Sequence, residues 1–184
     1  MNLTDHFLVS TQKYGDLWLS KAVIYVFKHD DEGVAGLVIN HKLPAEMQEF
    51  FKHSDSLSLP EGWPGKLLFG GPDDGGRGFV LHTMRGSWRN SRTINDRITL
   101  TLSPDIIRYL PTGGRDTGKA LFCLGCRNWS AEDLEKEIRS DMWLPVRADE
   151  EILFDLPSKF RYQAALEKMG IKEPVMLMEG SGNA

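Results

Sequence analysis

Short apolar runs separated by polar, glycine-rich stretches alternate along most of the chain. Residues 22–27 and 34–39 are almost continuously apolar and rich in β-branched side chains, which is typical of strands buried on both faces. The polar stretch 29–33 between them predicts a hairpin. Further strands are predicted by apolar or alternating segments at 66–69, 79–83, 98–102, 119–124 and 143–146.

Helix signals are few and short. Pro44, Ser103 and Ser130 each stand where a helix can begin, and a last helix is predicted over 158–169, ending at Gly170. Strands that follow one another as hairpins, with few helices between them, predict an α+β fold with a mixed or mainly antiparallel sheet.

Composition places this fold in the ordinary globular class. The chain has 184 residues, 41% hydrophobic and 26% charged, which fits about one domain. Lys and Arg total 22 against 26 Asp and Glu, a net charge of −4, which argues against direct DNA binding by a globally basic surface. The longest apolar run, 22–27, is far shorter than the roughly 20 residues of a membrane helix. With no basic, apolar leader at the start, we expect a soluble cytoplasmic protein without membrane contact.

A glycine-rich stretch over 70–78 is predicted to be a long loop between two strands. Such a loop can cradle an anion or a partner chain, with Arg77 supplying a fork of donors. The alternative is a wide hairpin loop in which Arg77 pairs with Asp73 or Asp74.

Two further motifs resemble known chemistry only in part. Gly113-Gly-Arg-Asp-Thr-Gly-Lys119 has phosphate-loop spacing, but Ala120 lacks the hydroxyl that holds Mg²⁺, and a helix precedes where a strand should; a helix-to-strand turn is favoured. Cys123-Leu-Gly-Cys126 is a C-x-x-C in which Cys123 lies inside a predicted strand and only Cys126, at its end, would be reachable. No histidine has ligand spacing near them, so we expect no metal site and no cofactor.

Histidines and arginines supply weaker candidates. His29 and His82 each follow or end a predicted strand and could meet as an acid/base or ligand pair, although simple hydrogen bonding is the commoner role. The segment 85–97 carries a local charge of +3 around Trp88, which could form a nucleic-acid or acidic-partner patch, or a solvated hairpin loop. The arginines of this segment are Arg85, Arg89, Arg92 and Arg97.

Several short motifs, in this order and spacing, resemble the bacterial YqgE/AlgH family. They are His6-Phe-Leu-Val9, His29, Gly36-Leu-Val-Ile-Asn40, Gly70-Gly-Pro72, Arg77-Gly-Phe-Val-Leu-His82, Leu124-Gly125, Trp129, Leu134-Glu135, Glu137-Ile138, Trp143-Leu144 and Ile152-Leu-Phe-Asp-Leu-Pro157. The resemblance implies a bacterial cytosolic protein with a single compact α+β domain over 1–184, a split sheet folded into a barrel-like core and short flanking helices. We also expect a flexible tail at about 179–184. It implies no established activity, although some members carry the label of a transcriptional regulator linked to alginate synthesis.

The sequence departs from the family pattern at three places. Glu132-Asp133 stands where the family usually has Gly-Gln before the Leu-Glu pair. Cys126-Arg-Asn128 stands where the family has an aromatic and small residues, and the chain ends Gly182-Asn-Ala184 where many members end Gly-His-Ala. A role for that aromatic residue or for a C-terminal histidine is therefore not expected from this sequence.

The leading hypothesis is a non-enzymatic binding or regulatory protein with an unknown protein or small-molecule partner. The candidate ligand or partner residues are His29, Asn40, Gly70, Gly71, Pro72, Arg77, Gly78 and His82. The alternative is a small-ligand-binding protein or enzyme, in which Arg77, His82, His29 and Asn40 converge on one pocket. DNA binding through 85–97 ranks last, because the net charge is negative and no groove-reading element is visible.

Overall fold

A computed structural model of the protein describes residues 1–11, 18–52, 67–111 and 118–172. The nine strands of this described part are β1 His6–Ser10, β2 Val23–Asp30, β3 Gly33–Val38, β4 Leu67–Phe69, β5 Asp73–His82, β6 Ser91–Thr93, β7 Thr99–Thr101, β8 Ala120–Trp129 and β9 Trp143–Arg147. The helices are α1 Ala45–Lys52, α2 Ala131–Arg139 and α3 Ser158–Lys168, with a 3-10 turn at Pro104–Tyr109 and a π-helical turn at Glu151–Asp155.

The strands form one strongly curled sheet in which β8 is shared by two halves. Their order is β6-β7-β5-β8-β3-β2-β1-β9, with antiparallel neighbours throughout, while β4 runs parallel to β8. The first half of β8 pairs with β5 and β4, and its last three residues pair with β3. The prediction of a mainly antiparallel α+β fold with a split sheet and short flanking helices is confirmed.

The chain between β4 and β5 crosses β8 at a point where three glycines meet. Gly125 has φ 74°, and a Cβ there would lie 2.4 Å from the carbonyl oxygen of Gly71. A Cβ on Gly70 would lie 2.2 Å from the Gly125 oxygen. The Gly70 N–H donates to the Leu124 carbonyl at 2.7 Å, and the Val38 N–H donates to the Gly70 carbonyl at 2.8 Å. The backbones therefore touch, and only residues without a side chain fit here. We call Gly70, Gly71 and Gly125 the glycine crossing.

The glycine crossing overturns the prediction of a long loop over 70–78. Asp73 already pairs with Cys126, and β5 continues to His82 with a bulge between Asp73 and Gly78. The glycines allow two backbones to approach closely and allow a bulge in β5, and they do not form a turn. The glycine-rich composition therefore gave a wrong prediction of a loop.

Other local predictions are mostly confirmed. The hairpin of β2 and β3 has Asp30 opposite Gly33, so its turn is tighter than expected. Ser130 caps α2 by accepting from the Asp133 N–H at 3.0 Å. Ser103, in contrast, precedes a 3-10 turn instead of an α-helix, and its hydroxyl donates to the Asp105 carboxylate rather than capping an N–H.

One strand is longer than predicted, and another was not predicted. The predicted strand 119–124 extends to Trp129, so Cys126 lies inside β8. The stretch 85–97 contains the short strand β6 and is not simply a solvated loop. Residues 113–117 of the phosphate-loop-like motif and the predicted flexible tail at about 179–184 lie outside the described residues.

Apolar side chains cover both faces of the sheet. α3 packs on one face, where Leu166 joins a cluster with Tyr25, Leu37 and Leu81. α2 covers the other face, where Leu134 joins Leu8, Ile24, Trp129 and Trp143. The almost continuous apolar runs of β2 and β3 are thereby explained. Among the described residues, none of the helices has the length and apolar character that a membrane crossing requires.

Replacing Gly125 by Ala should destabilise the protein by about 2–5 kcal/mol, because the new methyl group meets backbone atoms at a positive φ. Urea unfolding followed by far-UV circular dichroism measures the change. The matched control is Gly75→Ala in β5, where nothing lies within 4 Å of the added Cβ. Equal stability of the two variants would show that the glycine crossing is not a tight contact.

Candidate functional site

The two histidines proposed as a pair lie at opposite ends of β8. His29 pairs across with Val34, which in turn pairs with Trp129 at the end of β8. His82 pairs with Ala120 at its beginning. The prediction that they meet as an acid/base or ligand pair is therefore wrong.

His29 and Asn40 brace neighbouring backbone. The Nδ1 atom of His29 accepts from the Leu3 N–H at 3.0 Å. The amide of Asn40 accepts from the Val23 N–H and donates to the Lys21 carbonyl, both at 2.8 Å. Both side chains thus tie together connections of the sheet, and a ligand contact by either stays a prediction.

Arg77 is exposed in the bulged part of β5. His82 follows five residues later on the same strand, about 16 Å away at the usual rise per residue. Arg77 has no ion pair with any residue in the described ranges, and the carboxylate of Asp73 is instead 4.0 Å from Arg127 and accepts from the Asn128 N–H at 2.7 Å. The expected pairing of Arg77 with Asp73 is not formed.

The expected convergence of Arg77, His82, His29 and Asn40 on one pocket is wrong for the same geometric reasons. The remaining predicted residues lie around the glycine crossing: Gly70 and Gly71 form it, and Pro72 follows it. A Cβ on Gly78 would lie 2.8 Å from the Phe122 ring. A partner contact by these positions stays a prediction.

Both cysteines are buried free thiols. Cys126 is only 2% exposed, which corrects the expectation of a reachable strand end. Its Sγ lies 3.8 Å from the Asp74 carboxylate, the other acid considered as a partner for Arg77. Burial raises the pKa of the Cys123 and Cys126 thiols to about 12, so neither is a ready thiolate. In the ranges that the structure describes, no group of three His, Cys, Asp or Glu side chains could hold a metal ion.

Three residues of the motifs shared with the family, Trp129, Glu137 and Trp143, form a carboxylate–indole contact. One oxygen of Glu137 accepts from the indole N–H of Trp129 at 2.9 Å and from that of Trp143 at 2.6 Å. The Arg127 guanidinium lies 5.1 Å from the Trp129 ring centre. The contact ties α2 to β8 and β9, so these recognisable positions have a structural role.

His82 begins a chain of hydrogen bonds that fixes its tautomer. Its Nε2 is 2.8 Å from the Thr101 hydroxyl, which is 2.8 Å from the Ser91 hydroxyl, and Ser91 donates to the Trp88 carbonyl. Because each hydroxyl has one proton, Thr101 must donate to Ser91, and His82 must donate from Nε2. Nδ1 of His82 is then an unprotonated, buried atom without a hydrogen-bond partner among the described residues. Burial lowers the pKa of this imidazole.

His82 also supports an exposed group of aromatic and basic side chains. Its ring meets Trp88 edge-on at 5.2 Å, and Trp88 lies 6.0 Å from Tyr109, which is 63% exposed. Gly86 passes so close beneath Trp88 that a Cβ would lie 2.5 Å from the indole. We call the surface formed by Arg85, Trp88, Arg89, Arg108 and Tyr109 the arginine–aromatic face; a cleft of about 400 Å³ runs through it.

Two of the four arginines of the predicted basic patch form ion pairs, and the other two form none with a described residue. Arg92 lies 3.7 Å from Asp30, which also pairs with Lys28 at 3.5 Å, and Arg97 lies 2.6 Å from Glu150. Both arginines therefore have an ion-pair partner from another part of the fold. Arg85 and Arg89 have no ion pair with any described residue.

Sequence reasoning missed Arg108 and Tyr109. They stand on the exposed side of the 3-10 turn whose buried side carries Ile106 and Ile107. Arg108 likewise lacks an ion pair with any residue that the structure describes. The available signal was the inward placement of Ile106 and Ile107, which leaves the next two positions facing solvent.

His82→Gln should make the protein less sensitive to acid. The folded-state pKa lies below the unfolded value of about 6.5, so protonation favours the unfolded chain, and stability is lost as the pH falls below that value. The wild-type free energy of unfolding should therefore drop more between neutral pH and pH about 5 than that of the variant, whose amide can still donate to Thr101. His41, whose pKa burial also lowers, leaves a residual slope. Urea unfolding at both pH values is the measurement, with His6→Gln as the control; identical slopes for wild type and His82→Gln would contradict the account.

Comparisons with known proteins agree with this fold. A sequence model described as AlgH-like (DUF179) matches residues 7–174. The chain is 39% identical to a UPF0301 protein of Neisseria meningitidis serogroup B, over all of both chains, and 36% identical to one of Azoarcus sp., over all of this chain and 97% of the relative.

Two solved structures are also similar. The solution structure of the AlgH protein from Pseudomonas aeruginosa has a TM-score of 0.72 and 32% identity, covering 99% of this chain and 96% of that one. A crystal structure of protein DIP2367 from Corynebacterium diphtheriae has a TM-score of 0.66 at 14% identity, covering 100% and 93%, and shows likeness of fold alone. With its sequence, fold and recognisable motifs in agreement, this chain belongs to the AlgH-like, UPF0301 family.

Proposed function

We propose that this protein is a non-enzymatic binding protein that docks an acidic segment of a partner protein on the arginine–aromatic face. The observation that carries the proposal is the presence of arginines without ion pairs on this face. Arg85, Arg89 and Arg108 have no ion pair with any described residue, whereas Arg92 and Arg97 in the same region are paired.

The side-chain types of the face are those that dominate protein recognition. Tryptophan, tyrosine and arginine are enriched among the residues that contribute most to protein–protein binding. Among the described residues that line the cleft, one is an acid, Asp105, and it accepts from the Ser103 hydroxyl. Carboxylates of a partner would find guanidinium groups that can bind them through two parallel hydrogen bonds.

The face is held in place by the fold beneath it. Trp88 rests on His82 and Gly86, and the 3-10 turn that carries Arg108 and Tyr109 is anchored by buried isoleucines. A preformed surface loses little conformational entropy on binding, which favours affinity.

The adjoining edge of the sheet adds backbone groups. β6 pairs only with β7 in the described sheet, and Asn90 and Ile94 bond to the backbone of the β7 side. By the alternation of antiparallel pairing, the N–H and C=O groups of Ser91 and Thr93 point away from β7. An extended partner segment could add to this edge as a strand.

Nucleic acid is the less suitable occupant. The whole chain has a net charge of −4, and three arginines would neutralise few phosphates. A regulatory role, as labelled for some members of the family, would then act through a protein partner. Arg77, exposed and without an ion pair in the described part of the chain, is a second proposed contact.

The proposal is tested by photo-cross-linking in the native bacterium, with p-benzoyl-phenylalanine in place of Tyr109. We expect one discrete protein product, cross-linked at a segment rich in Asp and Glu. The double variant Arg85→Glu with Arg108→Glu should abolish the product, because charge reversal turns attraction into repulsion. Arg77→Ala, tested alongside, shows whether the contact extends to the β5 bulge.

The matched control is Arg139→Glu, which reverses an exposed arginine on α2 that pairs with Glu135. The control should leave the product unchanged. No product, a nucleic-acid product, a product with a second copy of this chain, a product at a segment without acidic residues, or one that survives the double charge reversal would each overturn the proposal.

A further inference from the structure

A second cleft, of about 380 Å³, opens beside the start of α3 and shares no lining residue with the arginine–aromatic face. We call it the lysine–tryptophan cleft. Its lining includes Trp18, His41, Lys42, Phe69, Ser158 and Lys159, and none of the described lining residues is an aspartate or glutamate. Its volume lies in the lower part of the range of small-molecule sites.

Two of the described residues that line this cleft are lysines, and a buried arginine follows them on α3. Lys42 and Lys159 have no ion pair with any described residue, and the Lys159 ammonium is 4.8 Å from the exposed Phe160 ring. Arg161, 5% exposed, donates to the carbonyls of Leu156 and Ile39 but to no carboxylate of the described residues. Burial lowers its pKa to about 10, so the guanidinium is still charged at neutral pH.

The N-terminal end of α3 also favours an anion in this cleft. Pro157 precedes the helix without a side-chain cap, and the first turn carries no acidic residue. The first N–H groups of the helix, at Ser158 and Lys159, therefore lie beside the cleft without a side-chain acceptor in the described structure. Arg161 fixes this helix end by its bond to the Ile39 carbonyl.

An aromatic wall faces these cations. Trp18, 54% exposed, lies 5.4 Å from Phe69 with the rings inclined by 38°. Asn40 holds the connection before β2 through Lys21 and Val23, and the Phe69 N–H donates to the His41 carbonyl at 2.9 Å. Phe69 is therefore tied to the sheet, and Asn40 holds the backbone that follows Trp18.

We propose that the lysine–tryptophan cleft binds a small organic anion. Its phosphate or carboxylate group lies between Lys42, Lys159 and the first turn of α3, and its planar apolar body lies against Trp18. Neither the ligand class nor the location depends on the partner proposed for the arginine–aromatic face. In this arrangement Asn40 acts by positioning the wall rather than by touching the ligand.

The test is a titration of the full chain followed by amide and indole N–H chemical shifts. The probes are phenyl phosphate, benzoate, inorganic phosphate, phenol and benzylamine. Phenyl phosphate or benzoate should shift the Trp18 indole and the amides of Ser158 and Lys159. The better of them should bind about tenfold more tightly than inorganic phosphate or phenol, because ring and anion both contribute. Comparing the two distinguishes a phosphate from a carboxylate ligand.

Lys42→Gln and Lys159→Gln should each weaken this binding about threefold to tenfold, since each removes one ion pair. Lys172→Gln, which removes the same charge from an exposed residue outside the cleft, is the control and should bind as wild type does. Benzylamine should cause no shift at Trp18. Absence of shifts with both aromatic anions, equal binding of benzylamine, or unchanged affinity in both lysine variants would each overturn the proposal.

Discussion

The architecture depends on the close contact of backbones at the glycine crossing. β8 can serve two halves of the sheet because Gly125 bends it at a positive φ while Gly70 and Gly71 pass directly against it. Two hydrogen bonds close the contact, from Gly70 to Leu124 and from Val38 to Gly70, and they connect β3, β8 and the β4–β5 link. A side chain at this point would separate the halves of the sheet.

Both candidate surfaces follow from that arrangement. On one side of the glycine crossing, β4 carries Phe69 to the aromatic wall of the lysine–tryptophan cleft. On the other, β5 continues to His82, whose buried ring supports Trp88 in the arginine–aromatic face. Both surfaces are supported by buried elements on opposite sides of one close contact, which would suit the proposed binding roles, because a preformed surface loses little conformational entropy on binding.

Much of the fold could be predicted from the sequence because it is encoded locally. The apolar runs of β2 and β3, and the cap at Ser130, depend on neighbouring residues and are confirmed. The stretch 70–78 was predicted wrongly because its glycines are required by contact with β8, which lies far away in the sequence. A turn and a backbone crossing are both rich in glycine, so composition does not distinguish them. The candidate site was harder still, since pairing of Arg92 with Asp30 and of Arg97 with Glu150 brings together residues far apart in the chain. The hydrogen bonding of His82 likewise could not be predicted from the sequence, because its partners Thr101 and Ser91 come from other strands.

Hydrogen exchange at the amides of Gly70 and Val38 tests the central role of the glycine crossing most directly. If both halves of the sheet depend on this contact, these amides exchange only through global unfolding. Their exchange free energies should then equal the global unfolding free energy and fall with denaturant at the same slope. Exchange through a local opening of lower free energy, insensitive to denaturant, would contradict the account.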